Sequence, residues 1–240
     1  RPVSSAASDV YKRQSIWRSI KFSVVTLFFE LSLGFILALS LLSSFPLKSF
    51  FRGVHTLPLV IAPIVVGSIF KLFTVQGLGP LPHLLKDYFG YTLNYGQYAE
   101  QAFWMIVIMD IWHWTPFVTL TLLAGLSALP QDPYESAKID GANNFQIFAY
   151  ITIPMMVPVL IVVIFIRLMD SLKIVDEVWM LTGGGPGYAT RFTGIHIWKE
   201  VFEKRYYGLG SAMSILYLYI TIVICWLLYS VMVSRGKNED

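Results

Sequence analysis

Five stretches of this chain, 22–42, 54–73, 102–126, 155–181 and 211–233, are apolar over lengths at which a helix crosses a bilayer, a crossing that takes about 20 residues. Nothing else in the sequence restricts the fold so severely. Hydrocarbon offers no hydrogen-bond partners, and a spanning helix satisfies all of its backbone groups internally. The predicted fold class is therefore an all-α membrane protein, a polytopic helical bundle with five spans in this chain. Composition agrees: 55% of the 240 residues are hydrophobic and 14% are charged, where a soluble domain carries about 25% charge. A soluble enzyme is excluded, and a net charge of +3 is too small to argue for a nucleic-acid partner.

The spans are not uniform. Glu30 stands near the middle of the first, whereas the last carries no charge. Pro58 and Pro63 fall in the second, where each removes a backbone donor that neighbours must make good. The third holds Asp110, His113 and Pro116, and Cys225, the single cysteine, lies in the last and reads as a small apolar packing residue. Gln76-Gly77-Leu78-Gly79-Pro80-Leu81-Pro82 is a turn-rich exit from the second span. Gly183-Gly184-Gly185-Pro186-Gly187 is a tight turn ending the fourth; no Gly-Lys-Ser/Thr follows it, so it is not a phosphate loop. Ile195, Trp198 and Phe202 recur at helical spacing and predict an interfacial helix over 195–205 with all three on one face. Trp104, Tyr206 and Tyr207 near span ends read as interfacial belts. Residues 1–14 are polar, match no span or signal pattern, and are expected to be a non-native or disordered tail ahead of a domain covering 15–240.

The segment 127–154 is the densest in local signals. Asp132 is a good N-cap, Pro133 suits the first helical position, and Glu135 stands three residues after the cap, where it can close a capping box. Gly141 tolerates positive φ and is expected to end this helix sharply. Asn143 or Asn144 can cap a second helix, with Phe145, Phe148, Ala149 and Thr152 forming a face ahead of Pro154 and Pro158.

This segment resembles the cytoplasmic coupling loop of bacterial ABC-importer permeases, written roughly E-A-A-x-x-D-G-A, then eight variable-to-apolar positions, then I-x-L-P. Glu135, Ala137, Asp140, Gly141, Ala142, Phe148, Ile151 and Pro154 match, and Ser136 and Ile153 depart conservatively. Phe51-Arg52-Gly53, Leu57-Pro58, Pro63, Leu123-Ala124-Gly125-Leu126, Pro130 and Met180-Leu181-Thr182 with the glycine turn are similar to the sugar-importer branch, which includes the maltose and glycerol-phosphate importers. The resemblance implies a type I ABC-importer transmembrane fold, usually of six spans, so that one span would precede those seen here. It implies an ATPase-docking helix made of Glu135, Ser136, Ala137, Asp140, Gly141 and Ala142. It further implies a second permease subunit, making a heterodimer, two ATPase subunits, an extracytoplasmic solute-binding protein and a sugar-like solute. No cofactor is expected on this chain; ATP and Mg would sit on the partner ATPase. The expected location is the bacterial inner membrane.

Charges inside spans are functional candidates by default. Arg167, Asp170, Lys173 and Asp176 recur at three-residue spacing on the fourth span, where Arg167–Asp170 and Lys173–Asp176 can pair. In the family this half of the span lines the translocation path, so Asp170, Ser171 and Lys173, with Trp179 as a stacking surface, are the candidate path residues. Asp110 and His113 form an i, i+3 pair, read as an internal hydrogen bond or a proton relay, and Glu30 has no evident partner. A secondary transporter driven by protons through Asp110, His113 and Glu30 is the alternative, and the absence of an internal inverted repeat counts against it. An intramembrane enzyme lacks any visible metal-ligand spacing or nucleophile–base pair. Positive-inside counting gives no support and even leans the other way: Lys48, Arg52, Lys138, Arg235 and Lys237 on the side of 127–154 face Lys86, Arg191, Lys199, Lys204 and Arg205 plus the basic N-terminal residues on the other. The resemblance alone places 127–154 in the cytoplasm.

Overall fold

The computed structural model describes residues 5–236, with side chains for 13–230. The helices are α1 (Ser5–Leu42), α2 (Lys48–Val60), α3 (Pro63–Thr74), α4 (Pro80–Phe89), α5 (Ala99–Ser127), α6 (Asp132–Ile139), α7 (Asn144–Ile147), α8 (Ile153–Leu172), α9 (Asp176–Thr182), α10 (Thr193–Trp198) and α11 (Tyr207–Gly236). No strand occurs among the described residues. Four rods are long and apolar enough to cross a membrane: Arg13–Leu42, Ala99–Ser127, Asn144–Leu172 and Tyr207–Ser230. The third of these is α7 and α8 joined by one wide turn, in which the Ile153 N–H donates to the Phe148 carbonyl.

Three expectations are corrected. The second span is not one rod but α2 and α3, bent by 100° across Ile61 and Ala62. Pro63 opens α3, and Ala62 before it is extended at φ −62°, ψ 140°, because the proline ring disfavours helical geometry in the preceding residue. Pro58 lies inside α2 without ending it. The fourth span stops at Leu172 rather than 181. Val175 has left helical geometry (φ −136°, ψ −57°) and α9 restarts at Asp176, a break that falls where Lys173, Asp176 and Glu177 bring charge to the span's end. Residues 5–14, expected to stand apart as a tail, are helical and continuous with α1; residues 1–4 lie outside the described residues.

The predicted interfacial helix is α10 followed by a wide turn at Lys199–Glu203, where the Lys204 N–H donates to the Lys199 carbonyl. That i→i+5 spacing rotates later side chains off the earlier face. Ile195 is consequently buried in the core and Phe202 is exposed, although the Trp198 and Phe202 rings remain 5.4 Å apart.

Apolar packing falls into three clusters among the described residues. One includes Phe22, Ala102, Ile106, Val178 and Phe192, a second includes Phe35, Val118, Leu122 and Met156, and a third joins Leu27, Leu168, Leu172 and Cys225. Glycines bring helices close, as membrane helices do with small residues. At Gly67 an added Cβ would lie 2.7 Å from the Glu177 carbonyl oxygen and 3.1 Å from its Cα. These neighbours are backbone and cannot swing away. Gly67→Ala is expected to push α3 off α9, at a cost of about 1–3 kcal/mol from overpacking, and to lower the thermal unfolding midpoint in detergent. An unchanged midpoint would show that α9 slides aside freely.

Candidate functional site

The segment 127–154 folds into a short surface helix and a rigid return. Asp132, expected to cap α6, is already inside it. Gln131 precedes the helix in helical geometry, Pro133 follows, and no side chain caps this end. The C-terminus is closed as expected. Gly141 takes φ +79°, its N–H donates to the Lys138 carbonyl, and the Ala142 N–H reaches the Ala137 carbonyl at 2.9 Å. Asn143, not Asn144, caps the next helix with a complete capping box: the Gln146 N–H donates to Asn143 Oδ1 at 2.9 Å and the Asn143 N–H donates to Gln146 Oε1 at 2.8 Å. From this cap the chain runs helically to Leu172.

Within the docking set, Glu135, Ser136, Asp140 and Gly141 are exposed, while Ala137 and Ala142 are half-buried. The Tyr134 hydroxyl donates to Thr152 Oγ1 at 3.1 Å, which ties α6 to the turn leading into α8. Phe148 meets the Phe35 ring at 5.3 Å. Of the face expected from Phe145, Phe148, Ala149 and Thr152, Thr152 is buried and Phe148 and Ala149 are half-buried, whereas Phe145 in the first turn of α7 is 76% exposed. Ile139 and Tyr150 are also exposed, at 86% and 77%, apolar side chains that the motif alone does not mark. An open recess of about 340 Å³ is lined by Asp140, Gly141, Ala142, Gln146, Ile147, Tyr150 and Ile151.

Deeper in the bundle, between the first two of these apolar clusters, the intramembrane charges find partners. Arg167 on α8 donates from Nε and Nη2 to both carboxylate oxygens of Glu30 on α1, each at 2.7 Å. Nη2 also donates to Asp110 Oδ2 on α5 at 2.9 Å. All three side chains are no more than 1% exposed, and the guanidinium lies 4.6 Å over the Trp114 ring. The expected Arg167–Asp170 and Lys173–Asp176 pairs are replaced. Lys173 Nζ pairs with Asp170 at 2.9 Å, and Glu30 is not solitary. The direction each face points decides this: at the middle of α8 one face looks into the bundle, whereas at its end Asp170 and Lys173 emerge. Asp110 and His113 do not bond one another. His113 Nδ1 is hydrogen-bonded to Glu177 on α9, and Nε2 donates to the Ile61 carbonyl at 3.1 Å.

A shallow depression of about 210 Å³ opens beside this network, lined by Pro63, Asp110, Trp114, Asp170, Lys173, Ile174, Val175, Asp176 and Glu177. Asp170 and Lys173 are thus brought together as candidates. Ser171 is not, because it is buried and donates to the Leu168 carbonyl at 3.1 Å. Trp179 lies elsewhere, packed against Trp198 with centroids 3.8 Å apart and the rings tilted by 43°. Trp114 and Asp176 line the depression without having been singled out as path residues. The spacing of a helix that ends at Leu172 could not show which side chains converge there.

Known proteins resemble this chain in sequence and in fold. Residues 30–234 match the family described as binding-protein-dependent transport system inner membrane component. The chain is 36% identical over 225 residues to the trehalose/maltose transport system permease protein of Thermococcus litoralis, covering 94% of this chain and 75% of that one. Its fold superposes with a TM-score of 0.80 on a bacterial ABC transporter involved in the import of the acidic polysaccharide alginate, at 23% identity and over 92% of this chain and 78% of that one. The bacterial alginate transporter in complex with an alginate pentasaccharide-bound periplasmic protein matches equally well, with a TM-score of 0.80, 23% identity and coverage of 93% and 78%.

Proposed function

The chain belongs to the family of binding-protein-dependent transport system inner membrane components, and on that premise we propose that it forms part of the translocation path of an ATP-driven importer for a sugar or sugar-like solute. It is a multi-pass membrane permease subunit and not an enzyme. ATP and Mg are assigned to two separate ATPase subunits, and a second permease subunit completes the path. The relative named for trehalose/maltose transport and the alginate importer both support a carbohydrate. The complex of that importer with a periplasmic protein supports an extracytoplasmic binding protein here, and with it a bacterial inner membrane location.

One observation carries the coupling role: α6 is held rigidly yet stands in the open. Gly141 fixes its exit, Asn143 starts the next helix, and an unbroken helical path then runs to Leu172, beside the depression that Asp170 and Lys173 line. A push on α6 is therefore delivered along α8 to the middle of the bundle. The exposed carboxylates of Glu135 and Asp140 set register against a partner groove, and the small side chains of Ser136, Ala137 and Ala142 allow close approach. The exposed apolar side chains of Ile139, Phe145 and Tyr150 provide surface to be covered. At the depression, Asp170 and Lys173 supply hydrogen-bonding groups and Trp114 an aromatic face for a polyhydroxyl solute. A proton-driven secondary transporter is disfavoured because Glu30 and Asp110 are both committed to Arg167.

The test is to tag the chain, extract it gently from native membranes and assay what accompanies it. An ATP-hydrolysing subunit is expected in stoichiometric amount, and Glu135→Arg is expected to lower its recovery at least about tenfold, the equivalent of ~1.4 kcal/mol. Recovery of the intact chain without an ATPase would refute the reading.

A further inference from the structure

His113 sits where the two broken crossings meet. Its Nε2 faces the Ile61 carbonyl, an acceptor at the α2–α3 bend, and its Nδ1 faces Glu177 in the first turn of α9. The residue is 1% exposed, so water is not at hand to complete either bond. A neutral imidazole has one N–H and one lone pair. A backbone carbonyl only accepts, so Nε2 must carry a proton. The contact between Nδ1 and Glu177 Oε1 then needs a second one, because otherwise a nitrogen lone pair would face a carboxylate oxygen. That proton sits on Nδ1, giving imidazolium beside carboxylate, or on Glu177, giving a carboxylic acid that donates to Nδ1. Either way, the pair holds one proton more than a neutral histidine beside an ionised glutamate.

We propose that His113 and Glu177 form a proton-dependent latch that joins the α2–α3 bend to α9 and so positions α9 over the edge of the transport path. With the shared proton in place, the imidazole bonds both broken elements at once. When it is lost, the lone pair and the carboxylate repel and α9 is released from α5. Burial of Glu177 on α9 pushes its carboxyl above the ordinary carboxylate range. Asp110 lies one turn away on α5, with Arg167 of α8 and Glu30 of α1 behind it. Asp176 of α9, with Asp170 and Lys173, lines the neighbouring depression. On the α2–α3 side the group that faces the ring is a backbone carbonyl, and His55 of α2 is engaged with Thr119 at 3.0 Å. The place of the latch in transport rests on the permease reading, but its proton content does not.

The deciding measurement is magnetic resonance on the ¹⁵N-histidine, ¹³C-glutamate-labelled chain in lipid nanodiscs. His113 is assigned by difference from His113→Gln, and Glu177 from Glu177→Gln. Near neutral pH the expected result is either both His113 ring nitrogens protonated or the Glu177 carboxyl protonated, with that proton lost in one step at higher pH. Glu177→Gln is expected to return His113 to a single protonated nitrogen. A singly protonated His113 beside an ionised Glu177 from about pH 5 to about pH 8, the range over which histidine charge ordinarily changes, would overturn the proposal.

Hydrogen exchange separates a latch from a passive contact. Protection of the α9 amides, compared at matched pH, should fall across the proton loss in the native chain and not in His113→Gln, whose amide donates to Ile61 without titrating. Equal behaviour of the two chains would refute the positioning role. In the reconstituted importer, uptake should decline across the same pH step and His113→Gln should flatten that decline; an identical profile would also refute it. Failure of any ATPase to co-purify would instead remove the permease reading, and the resonance experiment would still decide the proton count.

Discussion

Arg167→Met is expected to be among the most damaging single substitutions in the bundle. It removes the cation that three hydrogen bonds join to Glu30 and Asp110 and leaves two buried carboxylates facing each other among apolar helices. Removing one partner of a buried ion pair costs about 3–5 kcal/mol, a large share of the ~5–15 kcal/mol by which a domain is ordinarily stable. The loss should appear as a thermal midpoint in detergent lowered well beyond that of Gly67→Ala and as a smaller monodisperse fraction. The origin of the cost is separable from packing. In the Arg167→Met background, Glu30→Gln together with Asp110→Asn removes both stranded charges at nearly constant volume and should recover most of the midpoint. Arg167→Lys should fall between, because an ammonium on a flexible stem cannot reproduce the guanidinium fork that serves both Glu30 oxygens. Native stability of Arg167→Met would mean that the carboxylates are hydrated or have taken up protons and that the three helices are held by apolar contact alone.

This cluster also marks where sequence reasoning stops. Apolar runs located the crossings because bilayer thickness sets a length that composition reveals. Gly141 and Asn143 were legible because turn and cap chemistry acts over a few residues. Glu30, Asp110 and Arg167 were each visible as costly intramembrane charges, but their pairing spans 137 and 57 positions, and no local period encodes it. A usable signal was present nonetheless: a mid-span arginine and two mid-span acids on three different helices are most cheaply buried together. The i, i+3 spacing of Arg167 and Asp170 pointed the wrong way because it ignored which face of α8 looks inward. Pro63 was likewise visible, but two prolines fall in that span, and only the position of the neighbouring helices shows which breaks it. Pro58 is carried inside α2, whereas at Pro63 the chain turns and His113 bonds the Ile61 carbonyl beside the bend.

Gly141→Pro should abolish transport while leaving the crossings in the membrane. The native backbone there is at φ +79°, and the proline ring holds φ at about −65°, so the turn between α6 and the Asn143 cap cannot form. The Gly141 N–H bond to the Lys138 carbonyl is lost with it. An added Cβ at this position meets no atom within 4 Å, so the effect reports backbone direction and not crowding. Gly141→Ala isolates the milder part of the same cost, about 1–2 kcal/mol for a left-handed residue bearing a Cβ, and should reduce solute uptake in proteoliposomes without eliminating it. The spans draw their stability from apolar packing that does not pass through Gly141, so the Gly141→Pro chain should insert and unfold near the native midpoint. The two readouts therefore part company: fold retained, uptake at background, and ATPase recovery reduced because α6 no longer stands at its native angle. Native uptake by Gly141→Pro would show that no force passes through this turn, and the assignment of α6 as the coupling element would be wrong.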